Sequence, residues 1–221
     1  EISLGLVGSE MCIRDREYMK KTAAEIAKIA ICVCIIAVLS QISIPFPSGV
    51  PLTFQTFAVA FCAWFLGLKN GMIACLCYLA AGACGVPVFA GFNAGIGAIL
   101  GPTGGFLWGF ILLVAGCGIA NIIERRKIAA LSNEIDKGKS ESRKGKIGAG
   151  TLLAVWSVSF AGLLLCHVCG VLNYCFVTGA EAVPAILSVS LPFLPKDMLS
   201  VIGAYYLAKA LNSRMRRVRA A

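Results

Sequence analysis

The side chains that could do chemistry in this sequence are few, and apolar residues surround them. Asp197 and Lys196 are adjacent at the start of a late apolar run. Asn93 lies in a glycine-rich stretch, and Gln55 opens an earlier apolar run. Ionisable side chains inside apolar spans are costly and usually functional, and an amide both donates and accepts hydrogen bonds. The four residues therefore predict a polar site for a small molecule. The alternative for Asp197 is an N-cap or first-turn carboxylate of the helix, which needs no ligand.

Catalysis is not predicted, because the pattern lacks the paired groups that an enzyme or a metal site needs. The only histidine, His167, lies in an apolar run, where a packed, neutral side chain is favoured over a catalytic one. Cys166 and Cys169 lie beside it, but no second pair of ligands stands at metal-binding spacing. The letters GKS at 138–140 match the end of a phosphate-binding loop, but Asn133 stands where that loop needs glycine. We expect no enzyme activity, no metal and no cofactor.

The composition predicts a membrane protein. The 221 residues are 58% hydrophobic and 14% charged, with a mean hydropathy of +0.84, far more apolar than a soluble domain. Since about 20 apolar residues span a bilayer as a helix, we predict an all-α, polytopic fold of six spans. The first two spans lie at about 22–44 and 52–68, and the third runs from a tight turn at 69–71 to about residue 84. The last three lie at about 104–123, 147–174 and 192–211. The net charge of +9 follows the membrane topology and does not indicate a nucleic-acid partner.

The stretch at 85–105 is the most irregular part of the sequence. It contains seven glycines and two prolines between two apolar spans. Irregular backbone at membrane depth is tolerated only where protein buries it or where it lines a cavity. We therefore predict a re-entrant outer loop between spans 3 and 4 that covers a site, with Asn93 as its polar contact and Gly91, Phe92 and Gly95 around it. A connector without a ligand is the alternative.

Basic residues indicate the orientation. With six alternating spans, Lys20, Lys21, Lys69, the loop at 124–146 and the arginine-rich tail lie on one side. The other side carries only one basic residue, Lys196. Because lysine and arginine favour the cytoplasmic side, we predict that both termini are cytoplasmic and that the glycine-rich stretch faces outward.

The first residues differ from the rest of the chain. Residues 1–16 show no pattern that fits the spans, and their arginines follow the short apolar segment, whereas a signal peptide places its positive charge first. We expect a non-native leader at 1–16 and one six-helix domain at 17–221.

Five motifs together resemble the BioY family. They are LSQISIP at 39–45, PLTFQT at 51–56, GVPVFAGFN at 85–93, GPTGGF at 101–106 and LPFLPKD at 191–197. The resemblance covers about residues 22–211, with the motifs in order. It implies the biotin-specific substrate-binding (S) component of an energy-coupling factor (ECF) transporter in a bacterial plasma membrane. Such a component works with a transmembrane coupling subunit and two ATPase subunits.

The resemblance also implies which residues bind the ligand. The family's loop asparagine falls on Asn93 and its span 6 aspartate on Asp197. Amide and carboxylate groups suit the N–H groups and carbonyl of biotin's ureido ring. The lysine that usually follows three positions after this aspartate is Ser200 here, and an arginine that some members carry is Leu107. The tail carboxylate of biotin then needs Lys196 or backbone N–H groups of the glycine-rich stretch.

Apolar walls and a docking face complete the expected site. The candidates for the walls are Phe89, Phe92, Phe106 and Trp108, although Trp108 could instead be an interfacial anchor. Small residues permit close helix contact, and the resemblance implies that span 1 docks the coupling subunit, through Ala23, Ala27 and Ala30. Internal packing explains these alanines equally well. Two other functions stay open, an S component for a different vitamin and a ligand-free intramembrane assembly protein.

Overall fold

The computed structural model describes residues 2–45, 49–136 and 148–220, and nearly all of these residues are helical. The α-helices of the described residues are α1 Ile2–Gln41, α2 Gln55–Leu66, α3 Leu68–Ala83, α4 Ile96–Leu100, α5 Gly104–Asp136, α6 Ala149–Thr178, α7 Ala182–Ala185 and α8 Leu194–Ala220. A 3-10 turn, Ala90–Phe92, precedes α4, and a π-helical turn, Ile186–Ser190, follows α7. Two short strands, β1 Ser43–Ile44 and β2 Leu52–Thr53, pair antiparallel beside the first connector.

Helix α2 lies at the centre of the bundle. It contacts α1, α3, α5 and α8. Nine of its twelve residues are buried, among them Gln55, Phe61 and Trp64. A helix that is apolar on all sides is stable only when neighbours surround it, and α2 meets this condition.

Glycines bring α5 and α6 into backbone contact, and this pair makes the most extensive helix contact of the fold. A Cβ atom built on Gly162 would lie 2.9 Å from Cα of Gly116. A Cβ on Gly109 would lie 2.8 Å from the carbonyl oxygen of Cys166. Any side chain at these positions would push the two helices apart, so the small residues set the distance between them.

A buried acidic residue joins α5 to α8 at one end of the bundle. The carboxylate of Glu124, which is only 6% exposed, accepts hydrogen bonds from the Tyr205 hydroxyl at 2.7 Å and from Lys209 Nζ at 2.8 Å. Nearby, the Asn121 amide donates to the Trp64 carbonyl at the end of α2, at 2.9 Å. These contacts satisfy polar groups that would otherwise be buried without partners.

Length and hydropathy identify several membrane spans. Three helical segments are long and apolar enough to cross a bilayer, at Thr22–Gln41, Gly104–Asn133 and Ala149–Thr178. The segments Ala182–Ser190 and Leu194–Met215, bent by 46°, form a fourth if they are taken as one span. Helices α2 and α3 are apolar but shorter. The predicted helical, multi-pass membrane fold is confirmed, while these criteria support fewer spans than six within the described residues.

Several predicted boundaries were wrong. The turn between the second and third spans is at Gly67, whose φ of 85° suits glycine, and α3 already begins at Leu68. The polar segment from residue 124 onward was predicted as a loop, but α5 continues to Asp136. This extension is possible because Lys, Arg, Glu and Ala form helices readily outside the membrane. The backbone of residues 2–16, the expected leader, continues α1.

Candidate functional site

A cavity of about 460 Å³ lies where the connectors meet, at one end of the bundle. It is far from the Glu124 cluster, because Phe106 in its wall precedes Glu124 by 18 residues of α5, or ~27 Å. Its polar lining includes Thr53, Gln55, Asn93, His167, Lys196 and Asp197. Its apolar lining includes Phe89, Phe106, Phe110, Leu163, Val189 and Phe193. An apolar chamber with a few convergent polar groups is the usual form of a small-molecule site.

The glycine-rich stretch forms one wall of the cavity. After α3, the chain makes the 3-10 turn, in which Gly91 has a φ of 68°, and then the short helix α4. The ring of Phe89 packs directly over Gly82, where a Cβ atom would lie 2.1 Å from Cζ of the phenyl group. The same ring makes an edge contact with Tyr78, with the ring centroids 5.5 Å apart. The wall is thereby fixed to α3.

The end of α1 holds the same wall through hydrogen bonds. Gln41 Nε2 donates to the Phe89 carbonyl at 3.1 Å, and its Oε1 accepts from the Phe92 backbone N–H at 2.9 Å. The Ser40 hydroxyl donates to the Val88 carbonyl at 2.5 Å. Sequence reasoning did not assign these roles to Ser40 and Gln41. Their position at the end of an apolar helix, next to an irregular segment, was the available signal.

The charged residues of the cavity come from the first turn of α8. Lys196 Nζ lies 2.5 Å from Asp197 Oδ1 and donates to the Thr53 carbonyl at 2.6 Å. The contact between Nζ and Oδ1 lacks hydrogen-bond geometry, so Oδ1 is buried without a hydrogen-bond donor among the described residues. Asp197 is 5% exposed, and its described contacts are with side chains instead of helix N–H groups. Asp197 lies in the first turn of α8, so the alternative of a first-turn carboxylate stays open beside the ligand-binding role.

His167 joins the same cluster. Its Nε2 lies 3.3 Å from Asp197 Oδ2, and its Nδ1 lies 3.0 Å from the Ser190 hydroxyl. Its ring also makes an edge contact with Phe106, with the centroids 5.8 Å apart. His167 is buried, as predicted, but it contacts polar groups and lines the cavity, which sequence reasoning missed. The signal was a titratable side chain inside an apolar span.

The amide residues lie on two other sides of the cavity. Gln55 is buried, and its Nε2 donates to the Tyr78 hydroxyl at 2.6 Å, while this hydroxyl donates to the Val88 carbonyl at 3.1 Å. Asn93 lies in the more exposed wall, and its Nδ2 donates to the Ala90 carbonyl at 2.8 Å. The structure therefore brings Asn93, Gln55 and Asp197 around one space.

The remaining predicted site residues lie outside the cavity lining. Phe92 is 70% exposed and Trp108 is 53% exposed, so neither ring faces the chamber. Gly91 and Gly95 shape the loop through positive φ angles instead of lining the cavity. Within the ranges 2–45, 49–136 and 148–220, no three His, Cys, Asp or Glu side chains are grouped so that they could hold a metal ion.

The fold and the cavity are those of a multi-pass helical membrane protein with a chamber of small-molecule size. A model of the BioY family matches residues 14–217. A probable biotin transporter BioY of Pyrococcus horikoshii is 34% identical over 192 residues, which cover 86% of this chain and 97% of the relative. The chain belongs to the BioY family.

Two further comparisons agree with this assignment. A biotin transporter BioY of Thermotoga maritima is 41% identical over 103 residues, which cover 47% of this chain and 59% of the relative. The crystal structure of the S-component for biotin from an ECF-type ABC transporter has a TM-score of 0.64 and 21% sequence identity. That match covers 88% of this chain and 93% of the solved chain, and it shows a shared fold.

Proposed function

We propose that this protein binds biotin as the substrate-binding component of an ECF transporter. The observation that carries the proposal is the buried carboxylate of Asp197 at the wall of a cavity of about 460 Å³ that is otherwise largely apolar. A charge in such surroundings is costly unless it is paired or has a function. The ureido N–H groups of biotin would supply hydrogen bonds to this carboxylate, and the apolar residues would enclose its thioether ring and alkyl chain.

Asn93 would complete the recognition of the ureido ring. It lines the same cavity as Asp197 but comes from the opposite, more exposed wall. Because its Nδ2 bonds to the Ala90 carbonyl, the side-chain carbonyl is the group left to accept from a ligand N–H. Closure of the glycine-rich wall over the ligand would bring this group nearer.

The tail carboxylate of biotin would bind Lys196 once this lysine leaves its contact with Asp197. In the structure, Lys196 Nζ contacts Asp197 Oδ1 and the Thr53 carbonyl. The ureido ring and the carboxylate lie at opposite ends of biotin, so Lys196 cannot remain on Asp197 and also hold the tail. The long, flexible lysine side chain allows such a move. Backbone N–H groups of the glycine-rich stretch are the second candidate for the tail.

The transport role gives the bundle an orientation. We propose six spans, with α2 and α3 as short ones, and a re-entrant glycine-rich loop on the outer face. Arg125, Arg126 and Lys127 lie at the end of the bundle away from the cavity, where basic residues favour the cytoplasm. Both termini would then be cytoplasmic in a bacterial plasma membrane, and biotin would enter from outside.

The coupling subunit and its two ATPases would act from the inner side. Ala23, Ala27 and Ala30 are exposed on α1, so packing within this chain does not account for them. Small exposed residues allow a partner helix to approach closely. We propose this face of α1 as the docking site for the coupling subunit.

Binding to the purified protein tests the proposal against both rivals. Detergent-purified protein is assayed for co-purified biotin and for binding of labelled biotin in the presence of other vitamins. Saturable binding at one site, displaced by biotin alone, is expected. Displacement by a different vitamin would support an S component of another specificity. Failure to bind any of them would support a ligand-free assembly protein.

A further inference from the structure

The two ring nitrogens of His167 have different neighbours. Nδ1 lies 3.0 Å from the Ser190 hydroxyl. Nε2 faces Asp197 Oδ2 at 3.3 Å, which is longer than the usual N–H···O distance of about 2.7–3.2 Å. His167 is only 5% exposed and lines the cavity. A ligand in the cavity could therefore offer Nε2 a closer partner than Asp197 does.

The nearest polar atom to this nitrogen belongs to Asp197. The distance of 3.3 Å between Nε2 and Asp197 Oδ2 leaves this contact long for a hydrogen bond. The other carboxylate oxygen, Oδ1, is enclosed against Lys196. Oδ2 is thus the carboxylate oxygen available to a ligand, and it stands beside Nε2 in the cavity wall.

The surroundings decide which ring nitrogen carries the proton in the neutral imidazole. A carboxylate oxygen at 3.3 Å repels the lone pair of an unprotonated Nε2 and favours an N–H there. Nδ1 then accepts a hydrogen bond from the Ser190 hydroxyl, which can donate as well as accept. Ser190 and Asp197 together hold the imidazole with its donor toward the cavity.

We propose that His167 contacts the ligand directly and that His167 and Asp197 together recognise one edge of the ligand. Nε2–H would donate to a carbonyl oxygen, while Oδ2 would accept from the adjacent N–H. A donor and an acceptor 3.3 Å apart match a ring urea or lactam, which presents C=O and N–H along one edge. This inference rests on the proposed function and adds the residue that reads the ureido carbonyl of biotin.

A comparison of biotin with 2-iminobiotin tests the proposal. In 2-iminobiotin the ureido oxygen is replaced by a nitrogen that bears hydrogen, which would face Nε2–H as a second donor. The affinities of both ligands are measured for wild-type protein and for His167→Phe, which keeps a ring against Phe106 and removes the donor. We expect His167→Phe to weaken biotin binding by about tenfold or more, as for loss of one buried hydrogen bond.

The ratio of the biotin and 2-iminobiotin affinities distinguishes a hydrogen bond from His167 to the carbonyl from a role in packing alone. If Nε2–H reads the carbonyl, the preference of the wild-type protein for biotin falls by about tenfold in His167→Phe. Attraction of the imino group to Asp197 is the same in both proteins and cancels from the comparison. His167→Gln, whose amide can donate, should recover part of the preference. A residue that only packs would change both affinities equally and leave the ratio unchanged, which would overturn the proposal.

A control variant and a fallback measurement distinguish failure of this inference from failure of the proposed function. Ser159 is buried on the same helix, its hydroxyl donates to the Val155 carbonyl at 2.8 Å, and it is not part of the cavity lining, so Ser159→Ala should leave both affinities unchanged. If His167→Phe does not fold, the ratio of the biotin and 2-iminobiotin affinities is measured for His167→Gln and Ser190→Ala instead. Absence of biotin binding in the wild-type protein would overturn the proposed function. Biotin binding with an unchanged ratio in His167 variants would overturn this inference alone.

Discussion

At the scale of single residues, Lys196 compensates the buried negative charge of Asp197 by forming an ion pair with it. The two side chains are 2.5 Å apart, and the Lys196 side chain is the more exposed of the pair. Removing one partner of a buried ion pair leaves the other uncompensated, at a substantial cost. A ligand that draws Lys196 toward its own carboxylate must therefore replace the lost contact with hydrogen bonds to Asp197. Binding at the two ends of the ligand is coupled in this way.

Lys196→Ala tests the role of the lysine in holding the tail. Because this change also affects Asp197, the informative quantity is the affinity of biotin relative to biotin amide, which lacks the charge. Wild-type protein should prefer biotin by about tenfold or more, as a charge-assisted contact requires. Lys196→Ala should bring the ratio close to one, as measured by equilibrium binding to purified protein. An undiminished preference in the variant would assign the tail to backbone N–H groups instead.

At the scale of the helices, the glycines between α5 and α6 set the position of two cavity walls. Phe106 and Phe110 on α5 and Leu163 on α6 all line the chamber. A separation of the two helices would widen it. Gly116 and Gly162 allow the backbones to touch, so packing far from the polar residues determines the width of the site.

Gly162→Ala should destabilise the protein because its Cβ would lie 2.9 Å from Cα of Gly116. Overpacking of this kind costs about 1–3 kcal/mol. The matched control is Gly150→Ala on the same helix, where nothing lies within 4 Å of the added carbon and the change should be neutral or slightly stabilising. Thermal unfolding in detergent gives the comparison. Equal melting temperatures for the two variants would show that this helix contact is not tight.

The sequence predicts these elements to different degrees. The long apolar runs that form α5 and α6 are evident from the sequence. In a bilayer the backbone N–H and C=O groups of about 20 apolar residues can bond within the segment only if it is a helix. The turn at Gly67 and the continuation of α5 to Asp136 were not predicted, since helix ends depend on neighbours as well as on propensity. Asn93 and Asp197 stood out as polar residues in apolar surroundings. The contact between His167 and Ser190 was not predicted, because it depends on how α6 packs against the π-helical turn.

At the scale of the whole molecule, the exposed face of α1 is the proposed contact between this protein and the coupling subunit. Ala27→Trp places a large side chain on this face, and overpacking at a helix contact should lower uptake that depends on the coupling subunit by about fivefold or more. Biotin affinity of the purified protein should not change. Leu153→Trp, at a 71% exposed position on α6, is the control and should support normal uptake. Normal uptake with Ala27→Trp would remove this face from the docking site.

The expected leader allows a test by deletion. Residues 1–13 lie outside the family match, which begins at residue 14. A protein that begins at residue 17 should be produced in folded form and should bind biotin within about twofold of the full chain, since termini that are not tied into a core tolerate truncation. Yield after size-exclusion chromatography and biotin affinity are measured together. A large loss of folded protein would show that this segment belongs to the domain.

The most direct test of the proposed biotin site is the affinity of Asp197→Asn for biotin. The substitution keeps the shape of the side chain but replaces one acceptor oxygen with a donor, beside Nε2 of His167. The loss of a charge-assisted hydrogen bond and the mismatched donor should cost about 2–3 kcal/mol, or ~30- to 150-fold in affinity. Titration of purified wild-type and variant proteins with biotin measures the ratio. Affinities within about threefold of each other would contradict the account, because the carboxylate would then not contact the ligand.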